Sequence, residues 1–226
     1  MPAAGGAPRP VADTCAPTPE DLRPTAFIDS DSETVRGLVE DARADAADEH
    51  ELLARLFVAV RDGVRYDPFQ LPTDPAGYRA SAVLAAGRGY CIQKSVALTA
   101  AARAAGIPSR LGFADVKNHL QSERLREAMG TELFVWHGYS TFFVGERWTK
   151  ASCAFNAELC ARFGVQPLEF DGRGDALLHQ FAGDGSRYME YVRERGVYVD
   201  LPLEAVLASF RETYPAMDMD QARAAP

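Results

Sequence analysis

The chain has 226 residues, of which 47% are hydrophobic and 25% charged, and a formal net charge of −8 at pH 7. That length suits one domain rather than two, and the composition is ordinary for a globular protein. The acidic balance excludes a nucleic-acid partner, which needs a basic footprint, and the chain lacks the run of about 18 apolar residues needed to span a membrane. Met1-Pro2-Ala3-Ala4-Gly5-Gly6 has neither the charged nor the apolar region of a secretion signal, so the expected compartment is the reducing cytoplasm. The four cysteines, Cys15, Cys91, Cys153 and Cys160, show no C-x-x-C spacing. Cys153 and Cys160 could pair, but they read as reduced and structural. No metal-ligand cluster or cofactor motif is visible.

Residues 1–25 are rich in Ala, Pro and Gly without apolar periodicity, and a mobile tail is expected; 26–226 then form one catalytic domain. Ser30 with Glu33 reads as a capping box opening a helix to about residue 44, with Val35, Leu38 and Val39 inward. A second helix runs from about Asp48 to Gly63, its Leu52, Leu53, Leu56, Phe57 and Val60 recurring at helical period. Proline turns at Leu71-Pro72 and Asp74-Pro75 precede a short helix near residues 81–86. Gly87-Arg88-Gly89-Tyr90 then leads into an Ala- and Leu-rich helix that opens on Cys91 and stops at Gly106, before Pro108. Beyond it the period changes. Residues 110–116 and 133–144 read as strands, Gly145-Glu146-Arg147 as a tight turn, and 148–151 as a hairpin partner. The last third mixes loops and helices, with Glu204–Phe210 the clearest helix. Helices first and an antiparallel sheet after make an α+β layout.

Cys91 carries the chemistry. A helix start offers unpaired N–H groups and a positive dipole end, both of which lower a thiol pKa. A thiol nucleophile needs a base, and the base an orienting group. Of the four histidines, His50 lies in an acidic helix and reads as solvated, His179 lies in a polar loop region, and His119 remains a lesser candidate. His137 sits inside the most apolar strand and is the expected base. Asp115 ends the preceding strand, and antiparallel pairing would bring it beside His137; Ser152 and Asn156, after the hairpin, are the alternatives. Gln93 is a candidate oxyanion donor beside the backbone N–H groups of the cysteine helix.

Gly89-Tyr90-Cys91, Ala105-Gly106-Ile107-Pro108-Ser109-Arg110, His137 and Gly145-Glu146-Arg147-Trp148 resemble the transglutaminase-like superfamily of papain-type cysteine folds, over roughly residues 27 to 200. The resemblance implies Cys91 as nucleophile and His137 as its base. Members usually carry an aspartate a few residues after the hairpin tryptophan; here Trp148 is followed by Thr149-Lys150-Ala151-Ser152. That departure points to Asp115 as the substitute. A Cys…Asp…His order resembles the Dieckmann cyclases, which release tetramic acids from polyketide–peptide assembly lines in bacteria.

The resemblance implies that Cys91 takes a β-ketoacyl-aminoacyl chain from a carrier-protein thioester and that a carbon nucleophile expels it by ring closure. His137 would serve as base and Asp115 would hold its tautomer, with no cofactor. Two other classes stay open: a cysteine peptidase, amidase or amide-forming transferase on the same residues, and a binding module that kept only the fold.

Overall fold

The change of period after Gly106 corresponds to a change of layer: helices come first and pack on a sheet built from the second half. The structure is a computed structural model that describes residues 9–12, 14–69, 71–72, 74–119, 121–177, 189–215 and 217. Its elements are α1 (Glu33–Arg43), α2 (Glu49–Gly63), β1 (Arg65–Tyr66), α3 (Ala80–Ala86), β2 (Arg88–Gly89), α4 (Cys91–Ala104), β3 (Ser109–Asn118), α5 (Glu123–Met129), β4 (Leu133–Val144), β5 (Arg147–Ala151), α6 (Ala157–Arg162), β6 (Met189–Tyr198) and α7 (Leu203–Thr213). The main sheet is antiparallel in the order β5-β4-β3-β6, and β1 and β2 form a small parallel pair. This is the expected α+β, transglutaminase-like arrangement of N-terminal helices on an antiparallel sheet.

The organising element is α4, buried from Cys91 through Arg103. A helix buried on all sides must satisfy every polar group it carries. Lys94, fully buried, donates to the Arg61 carbonyl (2.7 Å) and to that of Val64, so its ammonium caps the C-terminal end of α2. Burial draws its pKa down to about 8. Arg103 donates to the carbonyls of Ser109, Arg23 and Val199. Against this helix lie Leu53, Leu56, Phe57 and Val60 of α2, all 0% exposed, and Phe142 of β4. All four cysteines are free thiols.

Three expectations are corrected. Within residues 14–25 the chain is held to the domain: Asp21 is fully buried and grips Arg110 of β3 through two 2.7 Å hydrogen bonds. Trp148 stacks on that guanidinium at 4.1 Å and donates its indole N–H to the Cys15 carbonyl. Val11 adds a bridge to Val197 of β6. The cap of α1 is Ser32, whose hydroxyl accepts from Val35 N–H, and not Ser30, which is itself buried. The C-terminal third supplies a ten-residue strand, β6, that pairs with β3 along its length. His179 lies outside the described residues.

Candidate active site

Cys91 is the first residue of α4, and the β1–β2 pair holds the glycine turn that precedes it. The first turn of α4 sits directly on β4 at Gly138. A Cβ there would stand 3.0 Å from Ile92 Cα and 3.3 Å from the Cys91 carbonyl oxygen, so a glycine is what permits the approach. His137, the residue before it, opposes Ala114 across the β3–β4 ladder. Cys91 and His137 therefore line one pocket of about 40 Å³, walled by Tyr90, Leu125, Phe210 and Tyr214. The two residues are 6% and 4% exposed, so the reacting groups are buried at a pocket that opens to the surface.

Burial decides the protonation states. It pushes the Cys91 thiol up to about 11, against the opposing pull of backbone N–H groups from Gly138, Ile92 and Cys91 itself. It pushes His137 down to about 4. The expectation of a lowered thiol pKa is thus reversed, because desolvation of the anion outweighs the helix start. The resting pair is a thiol and a neutral imidazole. The N–H groups around the sulfur are donors already placed for a negative charge.

The orienting group is also different. Ser152 Oγ lies 3.3 Å from His137 Nε2. Asp115, expected on the ring, is bound elsewhere: Oδ1 accepts Trp136 N–H at 3.0 Å, and Arg195 donates to both carboxylate oxygens at 2.7 and 2.9 Å. The strands pair as expected, but His137 opposes Ala114, so Asp115, the next residue along β3, faces the other side of the sheet. Asn156 Oδ1 accepts Tyr66 N–H and so fixes β1 instead. Gln93 is likewise occupied: its Oε1 accepts Tyr90 N–H and its Nε2 donates to the Gly77 carbonyl. His50, expected in solvent, is partly buried with Nδ1 2.9 Å from the Gly172 carbonyl oxygen, and His119 lies between Glu132 and Glu190.

Two contributors escaped the sequence reading. Gly138 carried a readable signal, a glycine inside a strand pattern. Tyr214, whose hydroxyl accepts from Val135 N–H and donates to the Leu133 carbonyl, pins the end of α7 over the pocket. Nothing in its local sequence announces that contact.

The arrangement can do nucleophilic chemistry with proton transfer between a thiol and an oriented neutral imidazole. No helix among the described residues is long and apolar enough to cross a membrane. No curated protein matches the sequence. Similar solved structures include a candidate cysteine protease from Cytophaga hutchinsonii, with 13% identity and a TM-score of 0.47, over 80% of this chain and 46% of that one. Another is the periplasmic domain of TgpA from Pseudomonas aeruginosa, with 22% identity and a TM-score of 0.41, over 59% of this chain and 45% of that one. The chain thus spans about half the length of either structure. A family model, that of the Transglutaminase-like superfamily, matches residues 36–153, more than half of the sequence and inclusive of Cys91, Asp115, His137 and Ser152, and the chain belongs to that superfamily.

Proposed function

We propose that this protein is a cysteine-dependent acyl-transfer enzyme that releases an N-(β-ketoacyl)aminoacyl chain from a carrier-protein thioester as a tetramic acid. The observation that carries this reading is the pocket: almost wholly apolar, and lined by both Cys91 and His137. A lining of that kind suits an apolar acyl chain. In the first step His137 takes the Cys91 proton as the sulfur attacks the thioester carbonyl, and returns it to the departing carrier thiol. In the second, His137 removes a proton from the carbon between the two carbonyls. That carbanion attacks the Cys91 thioester, closes the five-membered ring, and expels Cys91, which recovers the proton from the imidazolium. Backbone N–H groups beside the sulfur stabilise the oxyanion in both steps. In this reading Ser152, 3.3 Å from Nε2, orients the ring, and Nδ1 carries the proton.

The test is incubation with an N-(β-ketoacyl)aminoacyl thioester of N-acetylcysteamine, followed by intact-mass and product analysis. A transient adduct on Cys91 and a tetramic acid are expected. A free acid or an amide as the product would replace the cyclase with an amidase or transferase. An unmodified Cys91 would leave a binding module.

A further inference from the structure

Trp136, immediately before His137, has φ +59°, a left-handed conformation that bulky residues avoid and that costs on the order of 1–3 kcal/mol. It occupies the β4 bulge, where Val135 and Trp136 together oppose Asp115. A bulge takes backbone N–H groups off the ladder. Here each is recovered by a side chain: Val135 N–H by the Tyr214 hydroxyl and Trp136 N–H by Asp115 Oδ1.

β6, on the other side of β3, is also irregular. Its register shifts between Phe113 and Ala114, opposite Gly196 and Glu194, so Arg195 is the extra residue. Arg195 closes on both Asp115 oxygens, and its guanidinium carbon lies 5.0 Å from the Trp136 ring centroid. A second shift on the β6 side, between Asp115 and Val116, leaves Val192 extra as well, so bulges on both flanks of β3 meet at one carboxylate. That carboxylate is 4% exposed and neutralised by its own guanidinium.

We infer that Asp115 and Arg195 are a positioning pair for His137: the carboxylate holds Trp136 N–H in the left-handed bulge, the guanidinium locks both the carboxylate and the indole, and the bulge sets where the imidazole stands. Asp115 thereby acts through the backbone, with its charge spent on Arg195 instead of on the ring. The inference rests on the reading of Cys91 and His137 as nucleophile and base. It goes beyond that reading by giving Arg195 a part and Asp115 a different one.

The experiment measures iodoacetamide alkylation at Cys91, by peptide mass spectrometry at pH 8, alongside the imidazole ¹H–¹⁵N spectrum of the full chain. Asp115→Ala should slow alkylation about tenfold or more and shift the His137 ring signals while leaving those of His50 in place. The double variant Asp115→Asn with Arg195→Met keeps an oxygen for Trp136 N–H and leaves no guanidinium without its anion. It should alkylate about threefold slower than wild type and clearly faster than Asp115→Ala, since the neutral hydrogen bond survives while the guanidinium's hold on the indole is lost. A double variant as slow as Asp115→Ala would overturn the inference, showing that the carboxylate charge itself acts on His137. Unshifted His137 signals in Asp115→Ala would overturn it too, as would a lowered melting temperature without loss of alkylation rate. His137→Ala separates the two readings: if it alkylates as fast as wild type, the nucleophile–base pair fails, and if it is slow while Asp115→Ala is not, only the positioning pair fails.

Discussion

Arg110 on β3 and His137 on β4 are 1% and 4% exposed, and their surroundings treat them oppositely. Arg110 is charged and well answered: Asp21 takes two of its N–H groups, the Ala12 carbonyl and Cys15 Sγ accept from Nη1, and Trp148 covers its face. His137 has a hydroxyl at one nitrogen and apolar pocket walls, and burial keeps it neutral. A buried charge held by its counter-ion is a structural fastening. A buried titratable group left thinly partnered is a group that can exchange a proton. The comparison also explains the Gly106-Ile107-Pro108-Ser109-Arg110 motif: its arginine ties the N-terminal segment and the hairpin tryptophan to β3, away from the pocket.

The comparison breaks most visibly at the nucleophile. Cys91→Ser should fold normally and lose turnover by at least about a thousandfold, read in the thioester assay, because a hydroxyl is a far weaker nucleophile than a thiol at neutral pH. On the other side, Asp21→Ala leaves Arg110 buried without its anion. It should cost about 3–5 kcal/mol in chemical denaturation and leave the Cys91 alkylation rate of the folded protein unchanged.

The next effect is on pH dependence. The folded His137 pKa, near 4, is below the unfolded value of about 6.5, so the unfolded chain binds the extra proton first. The contribution is fully present above pH 6.5 and is lost as pH falls through 4. The difference is about 3 kcal/mol, and His137→Gln should flatten that part of the stability–pH curve. Cys91 has the opposite sign: its folded pKa of about 11 exceeds the unfolded value, so stability falls as pH rises above about 8.5.

Ser152→Ala should lower the acyl-transfer rate up to about tenfold, the effect of losing one neutral hydrogen bond. Ser152→Asp should raise the His137 pKa by placing a carboxylate at the imidazole. Asn156→Ala should cost about 1 kcal/mol in stability, through the lost contact to Tyr66 N–H, with the alkylation rate unchanged.

Much of this was legible in the sequence, for physical reasons that vary by element. The apolar period of α2 and the Gly-then-Pro stop of α4 are local, and both elements lie where their residues place them. The Gly145-Glu146 turn was equally local; both residues adopt positive φ. What failed depended on distant partners. The N-terminal segment is held by Arg110, 89 residues beyond Asp21, and nothing in an Ala-Pro-Gly composition signals that. β6 is an edge strand with several exposed positions, so its apolar alternation is weak. The Asp115 reading had the right strands and the wrong contact, because His137 pairs with Ala114 and so faces away from Asp115, a register that cannot be read from either strand alone. The sign of the Cys91 shift failed because a helix start is a local feature and depth of burial is not.

The most direct test of the neutral pair is the ultraviolet absorbance of the Cys91 thiolate, taken as the difference between wild type and Cys91→Ser and titrated between pH 5 and 10. The neutral pair predicts no thiolate signal near neutral pH and one that grows only toward the alkaline end. A thiolate signal already present from near pH 5 to pH 8, the mark of a preformed thiolate–imidazolium, would contradict it.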